Sequence, residues 1–111
     1  GLTVLSAGRV STAQPKVLTI KAFDKFFEPK DITLKAGKAT IVISNAGKDF
    51  HNFFLRTPGD KYLGGIPGID QIIRPGKSAE KTLDLDGPGE YLFYCGPHRE
   101  EGMTGRIVVE K

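Results

Sequence analysis

Apolar residues in this chain recur at every second position, not at every third or fourth. In ITLKA (32–36), Ile32, Leu34 and Ala36 alternate with Thr33 and Lys35, and in TLDLD (82–86), Leu83 and Leu85 alternate with Thr82, Asp84 and Asp86. A period of two gathers one set of side chains on one face of a strand. Further β-rich runs are VLTIKAF (17–23), ATIVISN (39–45), FFLRT (53–57), YLFYC (91–95) and RIVVE (106–110). Turn-forming clusters separate them: AGK (36–38), NAGKD (45–49), RPGKS (74–78) and DGPGE (86–90). No window carries a convincing amphipathic helix. About 7–8 short strands at regular spacing predict an all-β fold, an antiparallel Greek-key β-sandwich or barrel.

The runs at 41–43 and 107–109 are apolar on both faces, as strands with more complete cover require. Residues 58–72, PGDKYLGGIPGIDQI, break the rhythm and read as a long Gly- and Pro-rich surface connection. At 111 residues the chain is long enough for one core and too short for two. We divide it into an N-terminal extension, 1–14, and a folded domain, 15–111. The extension, apolar and then small and polar, is compatible with the remnant of an export signal or a tether to a membrane anchor, and equally with a linker or first strand. No run of 18 apolar residues is present to cross a bilayer as a helix. The net charge is +3, and acidic and basic residues alternate without a basic stripe. Nucleic-acid binding is therefore only weakly supported. A single cysteine excludes an internal disulfide.

That cysteine, the only methionine and one of the two histidines fall within YLFYCGPHREEGMTG (91–105). The other histidine, His51, begins a β-rich run in NAGKDFHNFFL, and a sandwich can bring it beside Cys95 on another strand. Taken singly, a lone Cys is most often a small buried hydrophobe and a lone Met core filler. Together, His51, Cys95, His98 and Met103 use every His, Cys and Met in the chain. Two imidazoles and a thiolate in a plane, with a weak thioether on the axis, describe a copper site for electron transfer. The local spacing fits. Cys95 ends a strand, Gly96-Pro97 turns the chain so that His98 folds back, and Gly102 permits the bend that returns Met103.

YLFYCGPHREEGMTGRIVV resembles the C-terminal ligand loop of the cupredoxins: Cys, two residues, His, four residues, Met, then a strand. Its length is similar to that of plastocyanins and pseudoazurins. FFEPKDITLKAGKATIVISNAGKDFHNFFL resembles the first half of the same fold, with a Phe-x-Pro lead and an Asn ahead of the first ligand His. IRPGKSAEKTLDLDGPGEY resembles the strand pair before the ligand loop. The likeness covers about residues 17–110. It implies a cupredoxin-like sandwich holding one type 1 (blue) copper ion per chain, with His51, Cys95 and His98 equatorial and Met103 axial. It also implies that the Asn52 backbone amide donates to the cysteine sulfur while its side chain ties the two ligand loops together. Because Pro97 lacks an N–H, we expect this to be the sole amide on the thiolate, so that Pro97→Ala would raise the reduction potential.

The likeness further implies an electron carrier that catalyses no reaction alone. Electrons would pass through the His98 ring edge, in an apolar patch of Gly47, Gly96, Pro97 and Gly102, extended by Ile66 and Pro67. Partners would be redox proteins: a cytochrome, a respiratory or photosynthetic complex, or a copper enzyme. The chain is expected to be a monomer outside the cytoplasm, in a periplasm, on an outer membrane face or in a thylakoid lumen. Three departures from the plant plastocyanin pattern bear on the partner: no clear acidic patch, the unfamiliar 58–72 segment, and Arg99, Glu100 and Glu101 within the ligand loop. Period two puts Tyr91 and Phe93 on the Cys95 face, where core packing is their first role. Glu100–Glu101 read as solvated surface.

Other classes fit less well. A thiol enzyme would use Cys95 and His98 and leave His51 and Met103 idle. A zinc hydrolase needs an open fourth position and a placed carboxylate base. Multicopper enzymes need more than two histidines, and a binuclear copper site needs two cysteines. A copper carrier or storage protein, using the same ligands but exchanging the metal, is the nearest alternative.

Overall fold

The computed structural model describes residues 15–66 and 72–111. The extension set apart above, residues 1–14, lies outside them. Nine strands are present among the described residues: β1 (Lys16–Ala22), β2 (Phe27–Glu28), β3 (Asp31–Lys35), β4 (Gly37–Asn45), β5 (Phe53–Arg56), β6 (Tyr62–Ile66), β7 (Ser78–Leu85), β8 (Gly89–Tyr94) and β9 (Thr104–Glu110). They form two sheets, ordered β2-β1-β4-β7 and β3-β9-β8-β5-β6. The core lies between the sheets. Ile20, Ala22, Ala39, Ile41, Ile43, Leu83 and Leu85 face Phe53, Leu55, Tyr91, Phe93, Ile107 and Val109, all buried. The alternation that predicted the strands is the one that fills this space. Phe27, Phe53 and Phe93 form an aromatic cluster there, with centroid separations of 4.9 to 5.7 Å. The buried Tyr91 satisfies its hydroxyl by donating to the Gly87 carbonyl at 2.7 Å.

Two details differ from the sequence reading. The sandwich is mixed: β1 pairs with β4, and β3 with β9, in parallel, while the other pairings between strands are antiparallel. Alternation reports a strand's faces and carries no information on the direction of its neighbour. The 58–72 segment is also not a loop throughout, since β6 lies inside it and pairs antiparallel with β5. Its glycines answer a packing need. A Cβ on Gly65 would lie 2.8 Å from the Phe54 ring, and one on Gly64 3.1 Å from Leu83. A strand pressed this closely against its neighbours must lack side chains, and so it loses the pattern that would have revealed it.

The topology collects four chain segments at one end of the sandwich. β4 ends at Asn45, β5 starts just after His51 and Asn52, β8 ends just before Cys95, and β9 starts just after Met103. His51 joins a fifth segment through an antiparallel bridge to Ile73, with N–H···O distances of 3.2 and 2.6 Å.

Candidate metal centre

Cys95 follows directly on β8 with its side chain on the buried face shared by Tyr91 and Phe93. The next residues turn back sharply. The His98 N–H donates to the Cys95 carbonyl at 3.3 Å, and the Met103 N–H to the His98 carbonyl at 3.3 Å. The Cys95 N–H closes the loop on the Met103 carbonyl at 3.1 Å. Between them, Arg99–Glu101 make a single 3-10 turn that ends on Gly102 at φ 89°. That left-handed conformation is the bend expected of Gly102. Glu100 and Glu101 are exposed, as expected.

His51, Cys95 and His98 come together: one nitrogen of each ring and the sulfur lie within 4.8 Å of one another. Cys95 Sγ is 3.7 Å from His51 Nδ1 and 3.4 Å from His98 Nδ1. The two rings stand 4.9 Å apart at 52°. His51, Cys95 and Met103 are fully buried, whereas 12% of the His98 side chain reaches the surface. Burial pushes the Cys95 thiol up, and backbone amides of Asn52 and His98 pull it down. Asn52 Oδ1 accepts from the Gly96 N–H at 2.8 Å, so its side chain ties the two loops together as the family likeness implied.

Two further residues support the centre: Asn45, the Asn ahead of the first ligand His in the family likeness, and Asp24, which carries no motif of its own. Asn45, 2% exposed, donates to the Asp49 and Ile73 carbonyls at 2.8 Å each and accepts from the Gly47 N–H at 2.9 Å. Asp24, in the turn between β1 and β2, accepts from the Lys48 and Asp49 amides at 2.8 and 2.9 Å and lies 3.2 Å from His51 Nε2. The face around His98 is less apolar than expected. Gly96, Pro97 and Gly102 are exposed and Gly47 half-buried, but Ile66 is fully buried and contributes no surface. Pro67 lies outside the described residues. Asp49 is exposed and meets His98 Nε2 at 3.0 Å, and the neighbouring Phe50 is 46% exposed.

Comparison with known proteins agrees with this geometry. Residues 1–109 match the family model of the cupredoxin-like domain. The chain is 34% identical to the plastocyanin of Prochlorothrix hollandica over 99% of its own length and 83% of that protein. It is 33% identical to the chloroplastic plastocyanin of Chlamydomonas reinhardtii over 76% of its length and 58% of that protein. Among solved structures, an auracyanin of Roseiflexus castenholzii superposes with a TM-score of 0.74 at 18% identity, covering 89% of this chain and all (100%) of that one. Auracyanin A of Chloroflexus aurantiacus, described as a "blue" copper protein, gives 0.71 at 19% identity, over 87% and 100% of the two chains. The structural likenesses carry the fold, and the sequence match carries the family: this chain belongs to the cupredoxins.

Proposed function

We propose that this chain carries single electrons on one copper ion, with His51, Cys95 and His98 as strong ligands and Met103 as a weak axial one. The observation that carries the reading is the convergence of both Nδ1 atoms on the Cys95 sulfur at one buried end of the sandwich. Copper held by two imidazoles, a thiolate and a thioether would exchange one electron between Cu(II) and Cu(I) with little rearrangement.

The residues of the chain have defined tasks in this reading. The buried Cys95 thiol is costly to ionise alone, so a cation beside it supplies the compensating charge. The backbone at Asn52 and His98 favours the thiolate form, and the Asn52–Gly96 bond keeps the sulfur in register with His51. The backbone bonds among Cys95, His98 and Met103 hold the loop in one shape for both oxidation states. His98, the ligand with an edge at the surface, is the route by which electrons enter and leave. No bond of a substrate is made or broken. Partners are redox proteins, such as a cytochrome, a respiratory or photosynthetic complex or a copper enzyme, met in brief encounters over a small area. The plastocyanin relatives support this and a site of action outside the cytoplasm.

Reversible voltammetry, followed by a Cu(I) chelator challenge, tests the reading. A one-electron couple that survives repeated cycling, with copper retained against the chelator after reduction, is expected. Rapid surrender of reduced copper would favour the carrier or storage alternative. The enclosure of His51 and Cys95 argues for retention.

A further inference from the structure

Each histidine of the centre is backed by its own carboxylate. His51 Nε2 lies 3.2 Å from Asp24 Oδ1, and His98 Nε2 lies 3.0 Å from Asp49 Oδ2. The other nitrogen of each ring, Nδ1, faces the Cys95 sulfur at 3.7 and 3.4 Å. A neutral imidazole has one donor and one acceptor nitrogen, and an ionised carboxylate only accepts. The carboxylate therefore selects one tautomer of each ring: the proton sits on Nε2, donated outward, and the Nδ1 lone pair turns inward. Both carboxyls are held below the ordinary carboxylate value, Asp24 chiefly by the Asp49 and Lys48 amides and Asp49 chiefly by the Phe50 amide.

The arrangement is interlocked. Asp24 Oδ1 accepts from the Lys48 and Asp49 amides as well as from His51. Gly47 is fitted to that oxygen, since a Cβ there would overlap Asp24 Oδ1. Asp24 thereby fixes the backbone that carries Asp49. Asp49 in turn spends Oδ1 on the Phe50 N–H at 2.8 Å and presents Oδ2 to His98. One carboxylate holds the buried ring directly and positions the second carboxylate for the exposed ring.

We propose that Asp24 and Asp49 are positioning residues of the metal centre, selecting the inward-Nδ1 tautomer of both histidines and biasing bound copper towards Cu(II). The second half of this rests on the copper reading above. A carboxylate that accepts from the far nitrogen makes an imidazole a stronger donor. The more highly charged ion gains more from stronger donors and from nearby negative charge. Both effects lower the reduction potential relative to the same ligands without the carboxylates.

Asp24→Asn and Asp49→Asn keep shape and an acceptor oxygen while removing the charge. Asp84→Asn is the control, because Asp84 pairs with Lys38 at 3.0 Å near the start of β4, at the opposite end from the centre. Two readouts are taken: the potential of copper-loaded protein, and long-range proton–nitrogen NMR of the two histidines in metal-free protein. Each site variant is expected to raise the potential, the double variant to raise it further, and Asp84→Asn to leave it unchanged. Affinity for Cu(II) should fall by about tenfold or more relative to Cu(I). The metal-free wild type should carry its protons on Nε2 of both rings. Unchanged or lowered potentials in the site variants, or a proton on Nδ1 of either ring, would overturn the proposal. If the wild type failed to bind copper as a blue centre, the copper reading would fall, and the metal-free tautomers would still decide the positioning role.

Discussion

Replacing Asn45 tests how the centre is scaffolded. Its side chain makes three hydrogen bonds while only 2% exposed, and these join the 45–49 loop to Ile73, the bridge partner of His51. Asn45→Ala would leave the buried Ile73 carbonyl with the His51 N–H as one partner instead of two, at about 0.5–1.5 kcal/mol. The Asp49 carbonyl and the Gly47 N–H are nearer water and would add roughly 0.5–1 kcal/mol each. The sum is about 1.5–3.5 kcal/mol lost, read as a lower urea midpoint at unchanged slope in metal-free protein. Asn45→Asp is the sharper probe. It keeps the acceptor for Gly47 but turns a carboxylate oxygen against two carbonyl oxygens in a nearly closed site. At pH 7 it should be less stable than Asn45→Ala. Burial raises the folded pKa of such a carboxyl. The folded state then binds the extra proton first, and the deficit relative to wild type should shrink as pH falls from 7 to 5. A loss of less than about 0.5 kcal/mol in Asn45→Ala, or an Asn45→Asp variant that is the more stable of the two at pH 7 and gains nothing on acidification, would refute this role for Asn45.

Other outcomes follow from the same contacts. Gly65→Ala should destabilise the metal-free protein by about 1–3 kcal/mol, because the added methyl meets the Phe54 ring at 2.8 Å and the Tyr62 hydroxyl at 2.9 Å; a neutral result in urea melts would show that β6 can move away freely. Asp24 has its carboxyl below the ordinary value of 3.8, first through the Asp49 amide and next through the Lys48 amide. Its contribution to stability is therefore complete above that value and is lost as pH falls through the lowered one. Urea midpoints at pH 6 and pH 3 should draw together for wild type and Asp24→Asn; a gap of constant size would contradict this.

The sandwich was legible wherever one face of a strand is core and the other solvent, as in Leu83 and Leu85 of β7 or Ile32 and Leu34 of β3. It was hidden where other demands governed the residues. β2 is two residues long, and β6 is glycine-rich because Phe54 and Leu83 crowd it. The parallel pairings were invisible because neighbour direction leaves no mark on alternation. The donor set was legible for a chemical reason: His, Cys and Met are scarce here, and three of the four share one loop. Asp24 and Asp49 were not, since they are two of the 13 acidic residues in the chain. Only the folded chain brings the β1–β2 turn against the 46–50 loop.

Titration of the purified metal-free protein with Cu(II), followed by visible absorption and electron paramagnetic resonance beside Cys95→Ser, tests the central claim most directly. An intense blue thiolate-to-copper band that saturates at one equivalent, with narrow copper hyperfine splitting and no such signals from Cys95→Ser, is expected. A colourless or pale complex with ordinary wide splitting, or a band that persists without the thiol, would contradict it and leave His51, Cys95 and His98 as a cluster that does not hold copper in this way.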